Sequence, residues 1–150
     1  MNWIQSSPHI LFFVFCIILL SFGFYKGNET LDINVYDIYY IITWKHLMVL
    51  MSSILGVLAF TYLILLKLGF KLVSWMTVSH VSLSILSLCL IFLLPKLIRE
   101  SNPKDMEAYV GGLKFNNRIK VGILIAVLSL IGSQFLFFIN VIYTFIKGRS

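Results

Sequence analysis

The chain has 150 residues, of which 59% are hydrophobic and 12% charged, with a formal net charge of +6. A soluble domain of this length would carry about a quarter charged residues, so composition excludes an ordinary soluble protein and predicts a membrane protein. The positive charge sits between the apolar runs. There it speaks of membrane topology or of anionic partners at a membrane surface, not of nucleic acid.

Ser7 followed by Pro8 is a helix-start signal, a cap residue and then a first-turn proline. The apolar run behind it lacks the basic leader and small-residue cleavage site of a signal peptide, and predicts a retained first transmembrane helix over about 9–25. Cys16 in this run and Cys89 further on read as small apolar fillers; no disulfide or metal motif is expected. Residues 26–36 read as a loop, in which Asn28-Glu29-Thr30 matches a glycosylation sequon.

The second helix is expected over about 38–66, with Asp37 as its cap and Tyr36, Tyr39 and Tyr40 as an interfacial aromatic belt. Trp44, Lys45 and His46 then fall within the helix. An ionisable side chain in a membrane helix is costly, which makes His46 a functional candidate, while the long stem of Lys45 can return its ammonium to the interface. Helical spacing puts His46, Val49, Ser53, Gly56 and Phe60 on one face, and Ser53 and Gly56 are read as helix-packing residues.

A basic turn at 67–71 leads to a third helix over about 72–94, ended by Pro95. Thr77, His80, Ser84 and Ser87 fall on one stripe, which predicts a polar face turned into the bundle. Residues 96–120 read as a long mixed-charge loop, with Gly111-Gly112 as a turn signal. The fourth helix is expected over about 119–146. Gly122, Ala126, Ser129, Ser133 and Asn140 line one of its faces, a packing stripe with an amide as polar glue. The predicted fold is all-α: an integral membrane four-helix bundle forming a single transmembrane domain over 1–150.

Residues 30–46 resemble a known family. Subunit I of the haem-copper oxidases (cytochrome c and quinol oxidases) carries T-L-D-x-x-x-H-D-T-Y-x-V-x-x-H-F-H at the start of its tenth helix. Thr30, Leu31, Asp32, Asp37, Tyr39 and His46 match that pattern without a gap. Tyr36 replaces the histidine of H-D-T-Y, and Trp44 replaces the ligand of the oxygen-binding haem. His46 stands at the position that ligates the family's electron-transfer haem. Further on, Val78-Ser79-His80-Val81 and Phe92-Leu93-Leu94-Pro95 sit near the spacing of the eleventh helix's I-H-F and F-F-P-x-H-F, with Leu97 in place of the second histidine. Pro103-Lys104 resembles part of the family's M-P-R-R, whose arginines meet the haem propionates. Gly132-Ser133-Gln134 and Phe138-Ile139-Asn140 are similar to the twelfth helix of bacterial members.

The resemblance thus covers the last three helices of a much longer subunit. It implies a short, degenerate relative in a bacterial inner membrane, with the acidic segment outside and both termini cytoplasmic. The excess of Lys and Arg at Lys26 and in 96–120 argues for the opposite orientation. Oxygen reduction is excluded for the isolated chain, since copper needs three histidines besides the haem ligands and the chain has only His9, His46 and His80. The expected function is that of a small non-catalytic subunit or assembly companion of a membrane (respiratory) complex, touching lipid and other membrane subunits and holding no metal. The alternative is a haem-binding electron carrier using His46. His80 is the weaker candidate ligand. With a rise of 1.5 Å per residue, His46 lies ~8–12 Å and His80 ~18–20 Å from the outer boundary, too unequal for a pair on one haem.

Overall fold

The computed structural model describes residues 6–35, 38–99 and 106–148. Its elements are α1 (Pro8–Lys26), β1 (Thr30–Val35), β2 (Ile38–Thr43), α2 (Trp44–Lys67), α3 (Ser74–Leu93), a 3-10 turn (Leu94–Leu97) and α4 (Met106–Lys147). All four helices are long and apolar enough to cross a membrane, so the chain is an all-α, multi-pass membrane protein. Its contacts divide it into two compact units, residues 1–71 with 148–150, and residues 72–147.

In the first unit α1 and α2 run antiparallel. Phe12 stacks on Tyr62 at 6.0 Å between ring centroids, and Phe22 meets Trp44 edge-on at 5.8 Å. The seam on α1 is Phe12, Cys16, Leu19 and Gly23; on α2 it is Met48, Ser52, Leu55, Ala59, Tyr62 and Leu65. Both follow the three-and-four spacing that keeps a stripe facing a near-parallel neighbour. At its centre Cys16 Sγ donates to the Ser52 carbonyl at 3.2 Å, and Ser52 Oγ donates to the Cys16 carbonyl at 3.3 Å. Near its end a Cβ on Gly23 would lie 2.5 Å from that of Met48, so glycine sets how closely the backbones approach. α2 ends in a Schellman turn: Phe70 N–H donates to Leu65, Gly69 N–H to Leu66, and Gly69 takes φ +79°.

The region between α1 and α2 corrects the sequence reading. Residues 38–43 are not the start of a helix but a strand, paired antiparallel with Thr30–Val35 inside the expected loop. Ile38, Tyr39, Tyr40, Ile41, Ile42 and Thr43 are all β-branched or aromatic, and the partner strand supplies the ladder bonds that a helix would have provided internally. The register sets Leu31 opposite Ile42, Ile33 opposite Tyr40 and Val35 opposite Ile38. The Glu29 carbonyl accepts from Trp44 N–H at 3.0 Å and closes the hairpin's base. Helix α2 therefore starts at Trp44, with Thr43 as its cap; Asp37 and Tyr36 lie outside the described residues.

In the second unit α3 and α4 run antiparallel, with Thr77, His80, Ser84, Ser87 and Leu88 of α3 buried against Ala126, Ser133, Phe137, Asn140 and Thr144 of α4. Pro95 falls in the 3-10 turn that closes α3, as its missing N–H requires. The fourth helix is also corrected: it begins at Met106, not near 119, and Gly111-Gly112 lie inside it. A glycine costs up to ~1 kcal/mol in a helix interior, too little to break one held by other contacts. Those contacts are made by Phe115 and Asn116, which grip the chain beyond α3.

Candidate functional site

The concentration of buried polar groups lies between α3 and α4, because both helices place hydroxyl and amide side chains on the stripe that faces the partner. Ser133 Oγ donates to the Leu130 carbonyl at 2.7 Å, which uses its proton. Ser84, 2.9 Å from Ser133 Oγ, must then be the donor between the two, and a directed chain runs from Ser84 through Ser133 to the backbone. Gln134 Nε2 adds bonds to Ser133 Oγ at 3.1 Å and to the Leu130 carbonyl at 3.3 Å. One turn of α3 away, His80 has no exposed surface and lies against the Phe137 ring at 5.1 Å.

At the start of α3 a second set closes on itself. Asn140 Oδ1 accepts from Val73 N–H at 2.9 Å, while its Nδ2 donates to Thr77 Oγ1 at 2.9 Å. Thr77 Oγ1 donates to the Val73 carbonyl at 3.1 Å. One amide thus satisfies an N–H that α3 cannot satisfy internally. Asn116 repeats the arrangement beyond the other end of α3: its Oδ1 accepts from Arg99 N–H at 2.9 Å and its Nδ2 donates to the Arg99 carbonyl at 2.8 Å.

Of the residues singled out from sequence, Ser84, Ser133 and Asn140 are buried in this seam, and Ser129 is half-buried on the same helix. Ser53 and Gly56 are not in the α1–α2 seam. Ser53 is exposed and returns its hydroxyl to the Val49 carbonyl at 2.8 Å, and a Cβ on Gly56 would meet nothing within 4 Å. The buried face of α2 is offset by one residue, at Ser52, which like Gly23 is not among the packing residues read from sequence; Cys16, read there as an apolar filler, is bonded to it. Two adjacent serines in a helix apolar all round leave the face undetermined; the Met48, Ser52, Leu55, Ala59, Tyr62 spacing is the signal that would have chosen.

His46 lies in the first turn of α2 and is exposed. Its Nδ1 and Thr43 Oγ1 lie 2.6 Å apart, a contact in which the imidazole tautomer decides the donor, and the same oxygen accepts from the His46 backbone N–H at 3.5 Å. Beside it the Lys45 ammonium sits 5.5 Å from the Phe24 ring centroid. A haem inside either unit does not fit these residues. His80 is closed off by the α3–α4 packing, and His46 turns away from the α1–α2 seam. Among the described residues no group of three or more His, Cys, Asp or Glu is placed to hold a metal ion. The spans contain no Asp or Glu, so the seam's serines and His80 lack the acid that a nucleophilic triad would need. Comparison with protein-family models, with characterised proteins and with solved structures returns no match.

Proposed function

We propose that the chain is a small non-catalytic subunit or assembly companion of a membrane complex, resembling the last helices of haem-copper oxidase subunit I. What supports this reading is how the intramembrane polar groups are used: the Ser84–Ser133 chain and the Asn140 ring join the protein's own helices and present no reactive set. The remaining helix faces are apolar and outward, with residues such as Ile17, Val57, Leu86 and Leu128 available to lipid or to neighbouring membrane helices. A respiratory complex in a bacterial inner membrane is the partner the resemblance implies. The same resemblance puts the acidic segment outside and both termini in the cytoplasm. Gentle solubilisation and affinity capture of the tagged full-length chain tests the reading. Stoichiometric recovery of a respiratory complex supports it, and recovery of the chain alone under conditions that keep such complexes intact defeats it.

A second reading is favoured by one observation at His46. Its Nδ1 lies 2.6 Å from Thr43 Oγ1; in the tautomer whose Nδ1–H donates to that hydroxyl, Nε2 of the exposed imidazole carries the lone pair a metal ligand needs. His46 would then hold a haem from outside the helix pair, and the haem would supply one-electron redox chemistry. A reduced-minus-oxidised visible spectrum with a haem band lost in His46→Ala supports this electron-carrier reading; protein from haem-replete cells without such a band removes it.

A further inference from the structure

The second unit ends in a crowd of cations that neither the helix seam nor the reading above accounts for. Lys96, Arg99, Lys114, Arg118 and Lys120 are all exposed, and among the described residues none of them is in an ion pair. Glu107 is the one acid described in this part of the chain. Their depth is fixed by packing. A Cβ on Gly122 would lie 3.3 Å from Leu94 Cδ1, so the end of α3 is level with the start of the uncharged stretch 121–146 of α4. From Gly122, Lys120, Arg118 and Lys114 follow at ~3, ~6 and ~12 Å along the helix. Arg99 is tied by its backbone to Asn116, ~9 Å from Gly122. The five charges therefore occupy a layer about as deep as a phospholipid headgroup region, against the hydrocarbon boundary.

Two features hold Arg99 in this layer. The Asn116 side chain bonds both the N–H and the C=O of Arg99, and the Arg99 guanidinium lies 4.2 Å from the Phe115 ring centroid. An arginine that served only to solubilise a loop would need neither.

We propose that this rim is a docking surface for the headgroups of anionic phospholipids, with Asn116 and Phe115 as positioning residues for Arg99. The chemistry required is a phosphodiester with net negative charge, met by amines and a guanidinium at its own depth. A zwitterionic headgroup carries its own cation and gains little there.

The test uses the purified full-length protein in a neutral detergent. Thermal unfolding and native mass spectrometry follow titration with phosphatidylglycerol, and with phosphatidylcholine of the same acyl chains. Phosphatidylglycerol is expected to bind more tightly and to raise Tm more, with the difference shrinking as salt is raised. Each cation removed as glutamine weakens its binding by about fivefold. Lys114→Gln/Arg118→Gln, which leaves the clasp intact, guards against misfolding of a variant lacking all five. Asn116→Ala keeps every charge and is expected to remove part of the preference, while Lys67→Gln/Lys71→Gln leaves it unchanged. Equal effects of the two lipids, or a preference that survives loss of the five cations, overturns the proposal. So does an equal stabilisation by soluble glycerol phosphate, which would make the rim a site for a free phosphate ester.

Discussion

Gly23 and Gly56 occupy similar stretches of membrane helix but have opposite roles. A Cβ on Gly23 would fall 2.5 Å from Met48 Cβ, while one on Gly56 meets nothing within 4 Å. Gly23→Ala must push two backbones apart and is expected to destabilise the α1–α2 pair by about 1–3 kcal/mol. Gly56→Ala relieves the helix of a glycine and is expected to be neutral or to stabilise by up to ~1 kcal/mol. Unfolding in mixed micelles with increasing sodium dodecyl sulfate, followed by circular dichroism, measures both. The same scale governs the α3–α4 seam. Asn140→Leu strands the Val73 N–H and removes the donor to Thr77 Oγ1, whose own bond to the Val73 carbonyl remains, and the same titration is expected to show a loss of about 1–3 kcal/mol. A Ser84→Ala/Ser133→Ala cycle is expected to give a smaller coupling, about 0.6 kcal/mol, because serines in an unfolded membrane helix bond their own backbone. These roles were only partly legible. Asn140, Ser84 and Ser133 stand out because polar side chains in an apolar run have few places to go. Gly23 does not, because whether a glycine is needed depends on what lies across from it.

At the scale of elements, periodicity separates helix from loop well where the chain must satisfy its own backbone inside a membrane, and poorly at its edges. The spans of α1 and α3 match their apolar runs because lipid permits no alternative. Residues 38–43 belong to the edge, where water or a second strand can satisfy the backbone, and their β-branched and aromatic composition then prevails over continuity with the helix. The register is testable. Leu31→Cys/Ile42→Cys joins positions directly opposite each other, close enough for a disulfide, and is expected to crosslink under mild oxidation. Leu31→Cys/Ile41→Cys places the two thiols on opposite faces of the ladder and is expected to stay reduced. Gel mobility with and without reductant distinguishes the two. Equal crosslinking would mean that 38–43 is not held in this register.

At the scale of the whole molecule, composition alone settled the class, because no soluble core explains so few charges. The extent of α4 was not legible, because Gly111-Gly112 and the charges between them and Lys120 look like punctuation when no neighbour is known. As one helix, Met106–Lys147 runs ~63 Å, about twice the ~30 Å hydrocarbon core. The uncharged stretch 121–146 accounts for the crossing, so the first three to four turns must project into the headgroups and the water beyond. The amide clasps at Asn116 and Asn140 lie ~36 Å apart along α4, a spacing close to the membrane's own thickness. They tie the chain at both ends of α3 to α4, at Val73 and at Arg99. A cysteine scan of α4 in intact vesicles follows directly, with the exposed side chains Leu113 and Leu128 as the informative pair. Leu113→Cys is expected to react rapidly with a charged, membrane-impermeant maleimide added from its own side, and Leu128→Cys only after detergent is added. Protection of Leu113→Cys from both sides would place the hydrocarbon boundary nearer Met106 and would remove the basic rim from headgroup depth. Because the uncharged stretch of α4 crosses once between them, the same reagent applied to the C-terminus must read the opposite side from Leu113, whichever leaflet that proves to be.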